Sequence, residues 1–493
     1  MENSIAGKIV GRQREQALLG GLIASNKAEF IAVYGRRRVG KTYLIKNFVG
    51  AVPGVFFHVT GLQKGVAKEQ LKEFAKQIGK TFYRSPSIVP QSQWSDALED
   101  LTVAINTVPK DTTVVLFFDE FPWMATPRSK LLTALELYWN RYWVFDPRIK
   151  LIICGSATSW ILDNIINNKG GLHNRVTRTL HLKPFSLAET ENYLNQHKIT
   201  LNRQQILDLY TVLGGVPLYW SYVSKGYSAA QCIDELCFQS DGPLVHEFER
   251  LFASLFDDPK PFKELIRSIA QHRYGIGQAA LIAETKLSDG GGTVKRLRQL
   301  EEAGFIMSLV PYGNKERGIY YVLDDEYSLF YVHWIEPNAR TIAKKTANQG
   351  FWVAQANQPA WKSWAGLSFE STCYKHIDQI RHALKIDPGA TVGTWRFVPK
   401  AKKPQKWAQV DLLFDRLDGA VTLCEIKRSD HLFAIDKSYA QELVQKMKIF
   451  QEQTKTKKQL FLCMITTMGL KPTMYSEELV TNQATLADLF KEI

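Results

Sequence analysis

Eight residues, Gly35-Arg36-Arg37-Arg38-Val39-Gly40-Lys41-Thr42, restrict this chain more than any other stretch. They fit G-x-x-x-x-G-K-[ST] and sit between the apolar run 30–34 and a helical pattern, the context that gives this spacing meaning. Glycines let the backbone wrap an anion without Cβ clashes, and a helix start offers free N–H donors and the positive end of its dipole. Strand, turn and helix therefore form a cradle for phosphate oxygens. Lys41 is expected to reach the β- and γ-phosphates, and the Thr42 hydroxyl to ligate Mg²⁺. The cofactor-binding set read here is Gly35, Arg38, Val39, Gly40, Lys41, Thr42 and Tyr43. Of the bunched Arg36, Arg37 and Arg38, at least two are expected to be solvated.

Residues 30–34, 55–59, 113–118 and 151–154 are uninterrupted apolar runs, each ending near Gly, Asp or Ser. Such strands suit a parallel sheet covered on both faces. The run at 114–118 ends in Asp119-Glu120. Asp119 suits Mg²⁺, through water, and Glu120 is placed to polarise an attacking water, although acids also end strands simply by meeting solvent. The run at 151–154 ends in Gly155-Ser156. This layout resembles the P-loop ATPases with a catalytic glutamate, whose corresponding strand carries a γ-phosphate sensor. The resemblance puts Ser156 there, and the local alternative is a helix N-cap.

Val10-Gly11-Arg12-Gln13-Arg14-Glu15 precedes a pattern with Leu18, Leu19, Leu22 and Ile23 on one face. It resembles the G-R-x-x-E box of prokaryotic AAA-type ATPases related to origin-recognition and STAND proteins. The loop around Lys41 and the lid motif Gly214-Gly215-Val216-Pro217 match that family too. The resemblance implies that Gly11 and Arg12 lie beside the base and ribose. It also makes Arg175, in Asn174-Arg175-Val176, an arginine finger or sensor, against a structural arginine paired with a carboxylate. ATP rather than GTP rests on the same resemblance, since no N-K-x-D motif lies where a GTPase needs one.

Residues 261–272, 278–285 and 293–303, followed by a Gly-bounded strand pair, read as a winged helix-turn-helix. Its third helix would carry Val294, Leu297 and Leu300 inward, with Lys295 and Arg298 outward. Lys315 and Arg317 mark the wing. In DNA-binding versions this helix enters the major groove, but winged helices also serve as packing modules.

Farther on, the strand patterns 409–415 and 420–427 flank Leu417-Asp418-Gly419. With Gly419 in the left-handed region this is a three-residue hairpin, and Asp411 lies opposite Glu425. Like charges so placed need a cation between them, and oxygen-only ligands suit Mg²⁺. Lys427 lies on the same face as Glu425, where it can orient water or stabilise a phosphate. This is the D-x(n)-E-x-K pattern of the PD-(D/E)xK nucleases, and Glu370 resembles the helical glutamate that joins such sites. Val410 stands where the motif name has Pro, and no clear Q-x-x-x-Y follows Lys427. The alternative is a metal-free ion-pair cluster in which Lys427 neutralises Asp411 and Glu425. Lys402 and Lys403, near Trp395 and Trp407, can grip a nucleic-acid backbone or form a solvated loop.

The whole chain resembles archaeal and bacterial ATPases whose restriction-endonuclease-like C-terminal domain has no assigned role. The expected fold is α/β: a P-loop ATPase parallel sheet (1–184), a helical lid (185–240), a winged-helix middle domain (241–336), a linker (337–365) and a restriction-endonuclease-like α/β domain (366–493). Lys+Arg number 62 against 49 Asp+Glu, a surplus of +13 that suggests polyanionic partners, here DNA. No apolar run approaches the roughly 18 residues that cross a bilayer, and the first residues lack a signal-peptide pattern, so no membrane partner is expected. The six scattered cysteines have no zinc spacing and fit a reducing cytoplasm. ATP and Mg²⁺ are the expected cofactors. The expected function is ATP hydrolysis coupled to DNA binding and Mg²⁺-dependent cleavage, with self-association allowed. The alternatives are a STAND-like nucleotide switch or a DNA-stimulated ATPase, each with a silent C-terminal domain.

Overall fold

Five parallel strands, four of them built from the apolar runs, organise the N-terminal part of the protein. The computed structural model describes residues 9–493 apart from 86–87, 168–169, 171, 173, 273, 288–289, 314–317, 345–349, 398 and 400–406. Its backbone divides into two units, Met1–Pro184 and Phe185–Ile493.

The first unit runs α1 (Gln13–Ile23), β1 (Glu29–Tyr34), α2 (Lys41–Val49), β2 (Val55–Thr60), α3 (Ala67–Phe82), α4 (Trp94–Asn106) and β3 (Val114–Asp119). It continues with α5 (Phe121–Met124), α6 (Leu131–Arg141), β4 (Ile149–Gly155), α7 (Thr158–Ile161) and β5 (Arg178–His181). The strand order is β2-β3-β4-β1-β5, all parallel. Alternate side chains feed separate cores: Phe30 and Ala32 enter one, Ile31 and Val33 the other. The fifth strand was not foreseen. Three of the four β5 residues are exposed and its sequence is polar, so it carries no apolar run.

The second unit starts with helices α8 (Leu187–Gln196), α9 (Arg203–Leu213), α10 (Pro217–Trp220), α11 (Ala229–Cys237) and α12 (Glu247–Leu255). Next come α13 (Lys260–Ala270), β6 (Ile276–Gly277), α14 (Gln278–Thr285), α15 (Gly291–Glu302), β7 (Ile306–Leu309) and β8 (Tyr320–Leu323). The three strands pair antiparallel in the order β6-β8-β7. On α15 the buried residues are Thr293, Leu297 and Leu300. Val294 is 46% exposed, because the inward stripe starts one residue earlier than expected.

Where a linker was expected at 337–365, the described residues form packed helices. They contain α17 (Ala339–Ala343), α18 (Phe351–Gln355) and the start of α19 (Pro359–Lys375), after α16 (Glu326–Phe330). Trp352 is fully buried, stacked 5.1 Å from Phe238 and edge-on to Phe330 and Trp361. Asp234 on α11 accepts hydrogen bonds from the backbone N–H groups of Gly350 and Trp352, which anchors the first turn of α18. Pieces of five residues have no readable period, and tertiary burial of indole rings holds them.

After α19 comes α20 (Ile377–Leu384), separated from it by His376. Strands β9 (Thr391–Phe397), β10 (Ala408–Asp415), β11 (Ala420–Lys427), β12 (Gln459–Thr466) and β13 (Val480–Thr485) form a mixed sheet, order β13-β12-β11-β10-β9, with α21 (Lys437–Thr454) between β11 and β12. One hydrophobic core runs continuously from Leu187 on α8 to Phe490 at the C-terminal end.

Candidate functional site

In the first unit, the loop between β1 and α2 bends back over the start of the helix. Gly35 has φ 141°, and a Cβ there would lie 2.3 Å from the Leu182 carbonyl oxygen, so only glycine fits. Arg38 (φ 72°) and Gly40 (φ 90°) also turn left-handed. Lys41, which is buried, donates to the Gly35 and Arg36 carbonyls at 2.9 and 3.0 Å and to the Ser156 hydroxyl at 3.2 Å. Burial depresses its pKa, and the charge of a phosphate partner would act to raise it again. The Thr42 hydroxyl lies 3.0 Å from both carboxylate oxygens of buried Asp119. Hydroxyl and carboxylate oxygens together are a donor set that suits Mg²⁺.

Glu120 follows with φ 46°, a left-handed conformation uncommon for a residue with a Cβ. Its carboxylate accepts the Ser156 hydroxyl at 2.7 Å and the Ser156 backbone N–H at 3.1 Å. Lys41, Ser156 and Glu120 thus form one hydrogen-bonded chain. The helix after Ser156 has no side-chain cap, so this hydroxyl serves the chain instead.

Arg12, 6% exposed, donates to the Val39 carbonyl at 3.4 Å and faces Glu15 at 3.7 Å, which ties the Gly11-Arg12 turn to the loop. Tyr43 is 52% exposed. The expectation that at least two of the three loop arginines are solvated is corrected. Arg36 is buried, Arg37 is half-buried with its guanidinium 5.8 Å above the Trp123 ring, and Arg38 is half-buried. Arg175 is exposed on the turn before β5.

In the second unit, β10 and β11 pair with Leu412 opposite Cys424 and Asp415 opposite Val421. The loop is Leu417-Asp418-Gly419, with Gly419 at φ 82°. The Asp411 carboxylate reaches across the pair and accepts the Ile426 N–H at 3.0 Å. On its other edge β10 bulges: Val410 pairs with Trp395 but Leu413 with Gly393, so Asp411 and Leu412 face one residue, Thr394. The Thr394 carbonyl instead accepts the Tyr312 N–H at 2.9 Å. Bulges of this kind re-aim side chains.

Asp411 and Glu425 are 7% and 4% exposed. Lys427 lies 2.8 Å from Glu425, the Tyr439 hydroxyl donates to Glu425 at 3.0 Å, and Lys446 pairs with the other Glu425 oxygen. Compensating charge for the two carboxylates is thus supplied by two lysines. Burial, then the Glu425 charge, pushes the Asp411 carboxyl up to about 6. Burial also acts to raise Glu425, but Lys446 and Lys427 outweigh it and hold that carboxyl below its ordinary value. Against burial, Glu425, Asp411 and Glu370 hold the Lys427 ammonium above its own.

Glu370 acts on Lys427 through its charge, but among the described residues no three His, Cys, Asp or Glu side chains converge on a metal position. It therefore does not close a three-carboxylate cage. Asp411 and Glu425 remain an oxygen-only pair, a set that suits Mg²⁺ with water completing the shell.

Lys295 is exposed on α15, and Arg298 pairs with Glu302 at 2.7 Å on the same helix. Lys315, Arg317, Lys402 and Lys403 lie outside the described residues.

Sequence reasoning missed several neighbours. His58 at the end of β2 stands 3.8 Å from Asp119. Gln409 donates to Asp411 at 3.3 Å, and the Tyr374 hydroxyl donates to the Asp411 carbonyl. Lys446 lies seven residues after Tyr439 on α21, a spacing that puts both on one helical face and was available as a signal.

Residues 9–223 match the family model of an ATPase domain found predominantly in Archaea. A Methanocaldococcus jannaschii protein, itself uncharacterised, is 24% identical over 380 residues, 76% of this chain and 79% of its own. The Walker-type ATPase of Pyrococcus abyssi aligns over 66% of this chain and 96% of its own at 18% identity, with a TM-score of 0.48. The Aeropyrum pernix ORC2 protein, solved with ADPNP and ADP, aligns over 71% and 98% at 17% identity, with a TM-score of 0.41. Among the described residues no helix is long and apolar enough to cross a membrane. The cradle around Lys41, with the family match over the same residues, makes the N-terminal unit a P-loop ATPase domain and this protein an ATPase.

Proposed function

We propose that the protein couples its ATPase cycle to DNA binding and to Mg²⁺-dependent phosphodiester cleavage. ATP binds at Gly35–Thr42, with Mg²⁺ held by Thr42 and Asp119, water polarised by Glu120 and the γ-phosphate sensed through Ser156. Arg175, exposed, is available to a neighbouring copy as a finger. Helices α13–α15 with β6–β8 are a winged helix that offers Lys295 and Arg298 to DNA, and the C-terminal sheet is a restriction-endonuclease-like domain. All six cysteines are buried and free, which supports a reducing, cytoplasmic setting.

The observation that carries the cleavage reading is the convergence of Asp411, Glu425 and Lys427 at a bulged hairpin, with Lys427 only 2.8 Å from Glu425. Mg²⁺ held by the two carboxylates would lower the pKa of a bound water and neutralise phosphate charge. Lys427 would hold that water or a phosphate oxygen. Hydrolysis then adds water to phosphorus and breaks one P–O ester bond.

The test is incubation of the whole protein with single- and double-stranded DNA, with and without Mg²⁺ and ATP. Cleavage should require Mg²⁺ and disappear in Asp411→Ala, Glu425→Ala and Lys427→Ala. Equal degradation by wild type and variants would mark a contaminant and overturn the reading.

A nucleotide-driven switch with a silent C-terminal sheet is the second reading. The pairing of Lys446 with Glu425 favours it, since that lysine satisfies the carboxylate without metal. Nucleotide-dependent change in oligomer size, with no cleavage under any divalent ion, would select it.

A further inference from the structure

Beside the carboxylate cluster lies a cavity of about 400 Å³, within the roughly 300–1,000 Å³ range of ligand pockets. It is walled by α19, the end of α13, the small sheet and strands β9 and β10. Two wall residues hold Asp411 directly: Gln409 donates to its carboxylate, and Tyr374 to its carbonyl. The cavity and the cluster therefore share a partition one side chain thick.

The lining has the chemistry of a flat, hydrogen-bonding ligand. Trp364 and Trp395 supply aromatic wall, both largely buried. Three buried polar atoms of lining residues have no hydrogen-bond partner: Oε1 of Gln409, an acceptor, and the indole N–H groups of Trp334 and Trp364, both donors. Buried groups of this kind rarely go unpaired, and together they ask for a molecule that both gives and accepts hydrogen bonds. Tyr274 and Arg396 continue the lining, with the guanidinium 5.3 Å above the phenol ring. Trp407, 48% exposed, lies 5.9 Å from Tyr274 and extends the aromatic track outward.

We propose that this cavity receives a single unstacked nucleobase from the strand whose phosphate lies at Asp411, Glu425 and Lys427. The proposal rests on the nuclease-like reading of that cluster and adds a substrate class to it. A base has two faces for aromatic stacking and an edge that donates and accepts. Seating it behind Gln409 fixes which phosphodiester meets Asp411. Extruding a base from intact duplex costs stacking and pairing, so strands with an unpaired nucleotide are the preferred substrates.

The test is fluorescence anisotropy of the full chain, with Ca²⁺ in place of Mg²⁺ to prevent cleavage, with and without ATP. Three labelled duplexes are compared: fully paired, with a one-nucleotide bulge, and with the same bulge made abasic. The bulge should bind about ten-fold tighter than either of the others, the scale of one base–aromatic stack. Ser363→Phe, at an exposed lining position of α19, should erase that preference while leaving paired-duplex affinity and melting temperature unchanged. The abasic comparison needs no variant, so it decides the matter even if Ser363→Phe fails to fold. Equal affinity for all three duplexes would overturn the base pocket and leave the nuclease-like reading standing. Failure to bind any of them would overturn both.

Discussion

Ser156 gives the Glu120 carboxylate two donors, its hydroxyl at 2.7 Å and its backbone N–H at 3.1 Å. The strand end therefore fixes the glutamate's orientation, while Lys41 contacts the same hydroxyl. Glu120→Gln should slow hydrolysis by about 10²–10⁴-fold, the usual contribution of a general base, with nucleotide affinity retained. Ser156→Ala keeps the backbone donor and should lower kcat by about ten-fold with KM little changed. Steady-state phosphate release and nucleotide titration check both.

Gly35→Ala should destabilise the ATPase unit by about 2 kcal/mol or more, since the new methyl meets the Leu182 carbonyl at a positive φ. Differential scanning calorimetry should show the first unit melting earlier. An unshifted transition would refute the packing argument.

Removing Lys446 leaves buried Glu425 with Lys427 and Tyr439 only. Lys446→Met should cost about 1–3 kcal/mol, whereas Lys448→Met, exposed on the same helix, should stay within about 0.5 kcal/mol. Under the cleavage reading, Mg²⁺ at a hundred times its Kd should stabilise the wild type by about 2.7 kcal/mol. Glu425→Gln should lose that gain at the second unit's transition.

His376 is buried between two backbone groups: its Nδ1 donates to the Thr372 carbonyl and its Nε2 accepts the Leu187 N–H. Burial holds its pKa down to about 4, against an unfolded value near 6.5. Below about pH 6.5 the unfolded chain binds a proton that the folded one refuses. Stability is thus lost as pH falls through that window, by about 3 kcal/mol at pH 4. Urea unfolding between pH 4 and 7 should show this slope in the wild type and a flatter one in His376→Gln.

Local signals were readable where local geometry is decisive. The loop 35–42 and the hairpin at Gly419 follow from residues adjacent in sequence, and the hairpin's register follows from its loop length. What could not be read depends on distant partners. The bulge at Asp411 exists because Thr394 turns to Tyr312, and β5 is polar because it is an edge. Residues 337–365 looked like a linker because Trp352 acquires its purpose only beside Phe238 and Trp361. The spacing of Tyr439 and Lys446 marks one helical face, but that this face meets Glu425 shows only once α21 is laid across the hairpin.

The unbroken core from Leu187 to Phe490 means that the C-terminal sheet is not a detachable cassette. Arg428, the residue after Lys427, is clasped by Asp208 on α9, and His376 ties α19 to the first turn of α8. A gene fragment starting at residue 366 would discard the buried Trp361 and Trp364 and strip Phe369 of neighbours. Any exchange of the second unit between related chains would therefore have to transfer residues 185–493 whole, and helices α8–α12 and the carboxylate pair must be inherited together.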